Sequence, residues 1–163
     1  MRCVQMKPFK RRVEKKTDYK ARLALLKSDK PRLVVRRYNR NIRIQIIEYG
    51  RNGDRTIVEV NSSKMKNGWN GHPGNLPSAY LAGYEAGLAA LSRQITDAVL
   101  DMGLQTSTKG NAIYAAAKGA ADAGLQIPLG EETQPDESRV KGSHISEETA
   151  RKFEEVLEKM KSK

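Results

Sequence analysis

The stretch from Lys30 to Gly50, KPRLVVRRYNRNIRIQIIEYG, limits the possible folds more than any other part of this chain. Ile42, Ile44 and Ile46 alternate with Arg43 and Gln45, a period of two that specifies a strand with one buried face. Before it, Arg32-Leu33-Val34-Val35-Arg36 is β-branched in its middle and basic at both ends. Tyr38-Asn39-Arg40-Asn41 joins the two as a hairpin with Tyr38 at its tip. Arg32, Arg36, Arg37, Arg40 and Arg43 then share one small surface. Guanidiniums that close repel one another unless a polyanion lies against them. The alternative is a solvated edge whose charges discourage strand pairing.

The rest of the chain supports the first reading. Its net charge is +11, and residues 1–55 alone carry +13 while residues 56–163 carry −2. A basic first third on a nearly neutral body suits an arm that meets nucleic acid or an anionic membrane surface. With 38% hydrophobic residues, the 163-residue chain has enough apolar material for one full domain with a core. Cys3 has no second cysteine to pair with, which fits a reducing compartment. MRCVQMKPFKRRVEKK lacks an apolar signal core, and no apolar run approaches the roughly 20 residues that span a bilayer. A cytoplasmic location is expected, with neither a membrane nor a small-molecule substrate as partner.

In order along the chain, residues 1–16 read as a basic arm with Lys10, Arg11, Arg12, Lys15 and Lys16, free until it orders on a polyanion. Thr17 or Asp18 caps a short basic helix from Tyr19 to Lys27, which carries Arg22 and stops before Pro31. After the hairpin, Arg55 to Asn61 completes a three-stranded antiparallel meander. Pro77 to Ile95 reads as a helix with Tyr80, Leu81, Tyr84, Leu88 and Leu91 as its apolar stripe. Asp97 to Asp101 is a short strand, Lys109 to Ala123 an alanine-rich helix, and Leu125 to Pro128 a last short strand. This order implies a parallel crossover and an α/β fold with a mixed sheet. Ser146 to Lys161 is a final helix, with Phe153, Val156, Leu157 and Met160 on one face. The expected organisation is an arm and helix at 1–28, an α/β body at 29–130, and an acidic loop and C-terminal helix at 131–163.

The segment NSSKMKNGWNGHPGNLP, Asn61 to Pro77, is too long for an idle loop in a compact domain. Its glycines allow close backbone approach to a partner. Trp69 offers a flat face on which a base can stack, and Lys64, Lys66, Asn70 and His72 offer hydrogen-bond donors. The competing reading has Trp69 anchoring the loop to the core.

No catalytic constellation emerges. Asp97 and Asp101 bracket one strand and read as polar strand ends, whereas a two-metal nuclease needs carboxylates converging from neighbouring strands. His72 and His144 lack metal-ligand spacing. No metal, cofactor or enzymatic activity is expected.

Four segments carry a resemblance to a known family: TDYKARLALLKSDKPRLVVRRYNRNIRIQII, GWNGHPGNLPSAYLAGYEAG, AVLDMGL and KGAADAGLQIPLGEETQPDESRVKGSHI. Together they resemble ribosomal protein L-eighteen of the archaeal type, the counterpart of eukaryotic L-five, over roughly Lys7 to Ile145. The resemblance implies an α/β fold of the ribonuclease-H-like type without catalytic carboxylates. It implies a protein of the large subunit's central protuberance that links 5S ribosomal RNA to the main large-subunit RNA beside other ribosomal proteins. Carried over by position, Lys10, Arg11, Arg12, Lys15, Lys16, Tyr19, Arg22 and the hairpin arginines contact RNA, and Trp69, Asn70 and His72 lie in the matching glycine-rich loop. Two rivals are a metal-dependent nuclease on that scaffold, using Asp97 and Asp101, and a general RNA-coating protein.

Overall fold

The alternation of Ile42, Ile44 and Ile46 is realised as a fully buried row on the central hairpin. In the computed structural model, which describes residues 7–65 and 67–162, β1 (Arg32–Arg37) pairs antiparallel with β2 (Ile42–Glu48). Its register sets Leu33 against Ile46 and Val35 against Ile44. The Tyr38 N–H closes the turn on the Asn41 carbonyl at 2.8 Å. β3 (Arg55–Asn61) pairs antiparallel with β2 across a bulge at Ile46/Ile47 and adds Val58 and Val60 to the same face.

The fourth strand comes from the other side. β4 (Val99–Asp101) runs parallel to β1, so the sheet order is β3-β2-β1-β4. This mixed sheet agrees with the expected meander and crossover. Asp97 lies outside β4, and the expected strand at Leu125 to Pro128 is reduced to one parallel bridge between Asp97 and Gln126. Pro128 has no N–H to extend that ladder.

Two helices cover one face. α3 (Leu76–Leu91) starts at Asn75, whose side chain accepts from the Ser78 N–H, and α4 (Ala112–Asp122) starts at Asn111, which accepts from Ile113 and Tyr114. Both are shorter than their apolar patterns: α3 ends before the left-handed Gln94, and α4 begins only after the left-handed Gly110. They cross closely because Gly83 faces the Ala116 carbonyl and Gly119 faces that of Tyr80, where any Cβ would overlap backbone. The core lies between this pair and the Leu33, Val35, Ile42, Ile44 and Ile46 face of the sheet.

The C-terminal segment packs on the same body. α5 (Glu137–Lys141) ends in the left-handed Gly142, and α6 (Glu147–Lys161) is capped by Ser146. Phe153, Val156 and Met160 of α6 are buried beside Trp69, Tyr80, Leu81 and Tyr84, while Leu157 is only partly covered.

At the other end the arm is not wholly irregular. Lys10–Val13 forms one helical turn, α1, and α2 (Tyr19–Leu26) follows, with Asp18 accepting from the Lys20 and Ala21 N–H groups. Neither helix buries a residue. Cys3 and Lys66 lie outside the described residues.

Candidate nucleic-acid interface

The basic residues picked out from the sequence divide into three sets. The first surrounds the hairpin tip. Arg37, Tyr38, Arg40 and Arg43 line an open concavity of about 730 Å³ with Asn39, Asn41 and Asn61. Among the described residues, Arg37 and Arg40 take part in no ion pair, and Arg43 has a loose one to Glu59 at 3.6 Å, both partners exposed. The Gln105 side chain braces this end of β1, accepting from the Arg37 N–H at 3.1 Å and donating to its carbonyl at 2.7 Å.

The glycine-rich loop sits against the same tip. Ser62 fixes it by accepting from the Ile42 N–H at 2.8 Å and donating to the Pro73 carbonyl at 2.6 Å. Gly74 packs beside the Asn39 carbonyl, and the His72 Nδ1 accepts from the Gly74 N–H at 3.1 Å. Lys64, Asn70 and His72 remain exposed. The loop thus meets the hairpin tip at Ser62 and Gly74, while Lys64 lines a recess with Glu59 and Glu85, and Asn70 one with Glu148 and Lys152.

The second set is the arm. Lys10, Arg11, Arg12, Lys15 and Lys16 are exposed on and after α1, with local partners only: Arg11 donates to Thr17, and Lys16 pairs with Glu14. Phe9, which the sequence reading passed over, is 70% exposed with its ring centroid 5.2 Å from that of Tyr19. An aromatic pair among cations, with Phe9 exposed and Tyr19 half-buried, suits base stacking. An exposed Phe in a basic tail was the available signal.

The third set faces inward, and here two expectations are corrected. Arg32 is 3% exposed, donating to Asp101 at 2.9 Å and to Asp54 at 2.7 Å, so it is not a contact residue. Strand alternation puts Arg32, Val34 and Arg36 on the face opposite the core, and that face is covered at β1. Trp69 is likewise no stacking platform. Its indole N–H donates to Ser78 Oγ at 2.6 Å and its ring meets Phe153 edge-on at 6.4 Å, so it anchors the loop. Arg36 is divided: part exposed, it donates to the Asp101 carbonyl at 2.6 Å and to its carboxylate at 2.8 Å. Arg22 is half-buried and bonded to Asp54 at 2.7 Å.

Asp101 is therefore the centre of an ionic cluster rather than a polar strand end. Burial pushes its carboxyl up, but the Arg36 and Arg32 guanidiniums outweigh burial and hold it below the usual carboxylate range. Asp97, exposed, is also lowered, chiefly by its hydrogen bond from Lys30. Both carboxylates thus face cations of the chain. Among the described residues no group of three or more His, Cys, Asp or Glu is placed to hold a metal ion. No described helix is long and apolar enough to cross a membrane.

Comparison with known proteins gives one answer. The family described as "Ribosomal large subunit proteins 60S L5, and 50S L18" matches residues 3–97 and 84–130. The large ribosomal subunit protein uL18 of Methanothermobacter thermautotrophicus is 47% identical over 156 residues, covering 95% of this chain and 81% of the relative. The uL18 of Haloarcula marismortui is 45% identical over 93% of this chain and 79% of its own length. That of Haloquadratum walsbyi is 49% identical over 85% and 68%. The chain belongs to the family of ribosomal large subunit proteins 60S L5 and 50S L18.

Proposed function

We propose that this chain binds 5S ribosomal RNA and attaches it to the large-subunit RNA in the central protuberance, beside neighbouring ribosomal proteins. As a member of this family it is a structural constituent of the large ribosomal subunit, working in the cytoplasmic ribosome, and not an enzyme. The observation that carries the RNA reading is the set of uncommitted cations at the hairpin tip, Arg37 and Arg40, with the glycine-rich loop fixed against that tip through Ser62. Such a surface neutralises phosphates and releases counterions. Tyr38, 52% exposed, and the Phe9–Tyr19 pair supply faces for unstacked bases, the mode by which structured RNA is read.

The contact set proposed is Lys10, Arg11, Arg12, Lys15, Lys16, Tyr19 and Arg22 on the arm and Arg37, Tyr38, Arg40 and Arg43 on the hairpin. Lys64, Lys66, Asn70 and His72 complete it on the loop, and Arg36 serves at the margin. The division into arm (1–28), body (29–130) and tail (131–163) belongs to the same proposal. So does the ribonuclease-H-like type, which the antiparallel β1-β2-β3 meander followed by parallel β4 supports.

The test is binding to 5S ribosomal RNA and to a size-matched unrelated RNA across a salt series. A preference for 5S of tenfold or more, about 1.4 kcal/mol, that persists at moderate salt is the expected result. Equal affinities that collapse together as salt rises would make the protein a general RNA coat.

A further inference from the structure

Residues 7–27 are held on the sheet in an unusual way. α2 buries no residue fully, and its apolar Leu25 and Leu26 are only half-buried. Among the described residues, one side-chain hydrogen bond ties this arm to the body: Arg22 Nη2 to Asp54 Oδ2 at 2.7 Å. Asp54 sits in the β2–β3 turn, where Gly50 and Gly53 exchange backbone hydrogen bonds at 3.1 and 3.0 Å. The same Oδ2 accepts from Arg32 Nη2 at 2.7 Å. Arg32 is held in turn by Asp101, and Asp101 by Arg36 and the Gly103 N–H. Charges of alternating sign therefore run from β1 and β4 to the arm: Arg36, Asp101, Arg32, Asp54, Arg22. The side chains of its inner members, Arg32 and Asp101, are 4% and 8% exposed, so salt screens them much less than surface charges. Towards the arm the exposure rises, to 25% at Asp54 and 35% at Arg22.

Between α2 and β4 lies a groove of about 680 Å³, walled by Arg11, Lys16 and Arg22 on one side and Arg36 on the other, with Leu100 and Met102 among its lining. Its width depends on where α2 stands, and Arg22 of α2 is bonded to Asp54.

We propose that Asp54 is a positioning residue for RNA binding: it touches no RNA, and it sets the arm and the groove by fixing Arg22. This rests on the RNA-binding reading above. The proposal makes a prediction opposite in sign to bulk electrostatics. Neutralising an acidic side chain on a polyanion-binding surface removes repulsion and tightens binding. If Asp54 pre-orders the arm, neutralising it weakens binding, because the cost of ordering the arm then falls on the association step.

The experiment measures affinity for 5S ribosomal RNA across a salt series for the full chain and the variants Asp54→Asn, Arg22→Gln, the double variant and Asp54→Glu. Asp54→Asn is expected to bind about tenfold more weakly, within the range for directly coupled neighbours. Its log–log salt slope is expected to be shallower by about 1, the equivalent of one lost phosphate contact. The double variant should be no weaker than the worse single one, since both break the same link, and Asp54→Glu should recover most of the affinity. A merely structural role would lower the melting temperature without moving the salt slope. Asp54→Asn binding as tightly as the wild type or tighter overturns the proposal, as do additive losses in the cycle. Should Asp54→Asn fail to fold, hydrogen exchange at the α2 amides of Arg22→Gln decides, because it does not depend on whether Arg22 itself meets RNA: faster exchange than in the wild type and in Lys27→Gln supports the proposal, and unchanged exchange overturns it. Wild-type protein without a preference for 5S would overturn the function reading and the proposal with it. A wild-type preference that Asp54→Asn leaves intact overturns the proposal alone.

Discussion

Asp101→Asn is the perturbation that most directly tests the ionic cluster under the arm. The carboxylate receives Arg32 Nη1 at 2.9 Å on one oxygen, and Arg36 Nη2 at 2.8 Å and the Gly103 N–H at 2.9 Å on the other. An asparagine keeps the shape but has one acceptor oxygen. With that oxygen kept towards Arg36 and Gly103, the amide nitrogen faces Arg32 donor to donor. The Arg32–Asp101 bond is then lost, and hydrogen bonds to charged groups contribute about 1.5–3 kcal/mol each. Breaking a buried pair by removing one partner costs about 3–5 kcal/mol, because the remaining charge is left uncompensated. Arg32 keeps Asp54, so the expected loss lies near the lower end, about 3 kcal/mol. In urea that is a midpoint lowered by roughly 1–2 M.

The pH dependence gives the same variant a second signature. The Asp101 carboxyl is lowered in the folded state, so its contribution is complete above the unfolded value of about 3.9 and drains away as pH falls through the folded value. The stability gap between wild type and Asp101→Asn should therefore be widest near neutral pH and narrow as acid is added. Urea titrations followed by far-ultraviolet circular dichroism at neutral pH and below pH 4 measure both. A loss under about 1 kcal/mol at neutral pH, or a gap that does not narrow in acid, would refute the assignment of Asp101 as the hub of a buried ionic cluster.

Other substitutions separate structure from contact. Trp69→Ala should cost about 3–5 kcal/mol of stability by emptying the seat between the loop and α6, with the affinity of the folded protein for RNA unchanged; a binding loss of about 1–3 kcal/mol, the worth of one stacked base, would restore Trp69 to the contact set. Gly83→Ala should destabilise by about 1–3 kcal/mol or more, because its Cβ meets the Ala116 backbone and not a movable side chain; an unchanged melting temperature would contradict the close α3–α4 crossing. Arg40→Ala should leave stability within about 0.5 kcal/mol and reduce the salt slope by about 1, read in the same RNA titrations. Full retention of slope and affinity would remove the hairpin tip from the interface.

The sequence determined the elements whose signals are local. Alternation at Ile42, Ile44 and Ile46 placed β2 and its buried face, turn residues placed the hairpin, and the apolar spacing of Phe153, Val156 and Met160 placed the docking face of α6. The uneven charge, +13 on residues 1–55, pointed to a polyanion before any geometry was known. What it left open were choices made by distant partners. Two arginines on one strand look alike until a neighbouring strand brings Asp101 beside one of them, and then Arg32 turns inward while Arg37, at the hairpin end of the same strand, stays exposed. Trp69 suits a base or a core equally well by type; Ser78 and Phe153, nine and 84 positions away, decided for the core. Helix ends and the short strand after α4 shifted for the same reason, since capping and pairing depend on neighbours rather than on hydrophobic period. Charge and periodicity are written residue by residue, whereas burial and ion pairing belong to contacts that exist only once the chain has closed on itself.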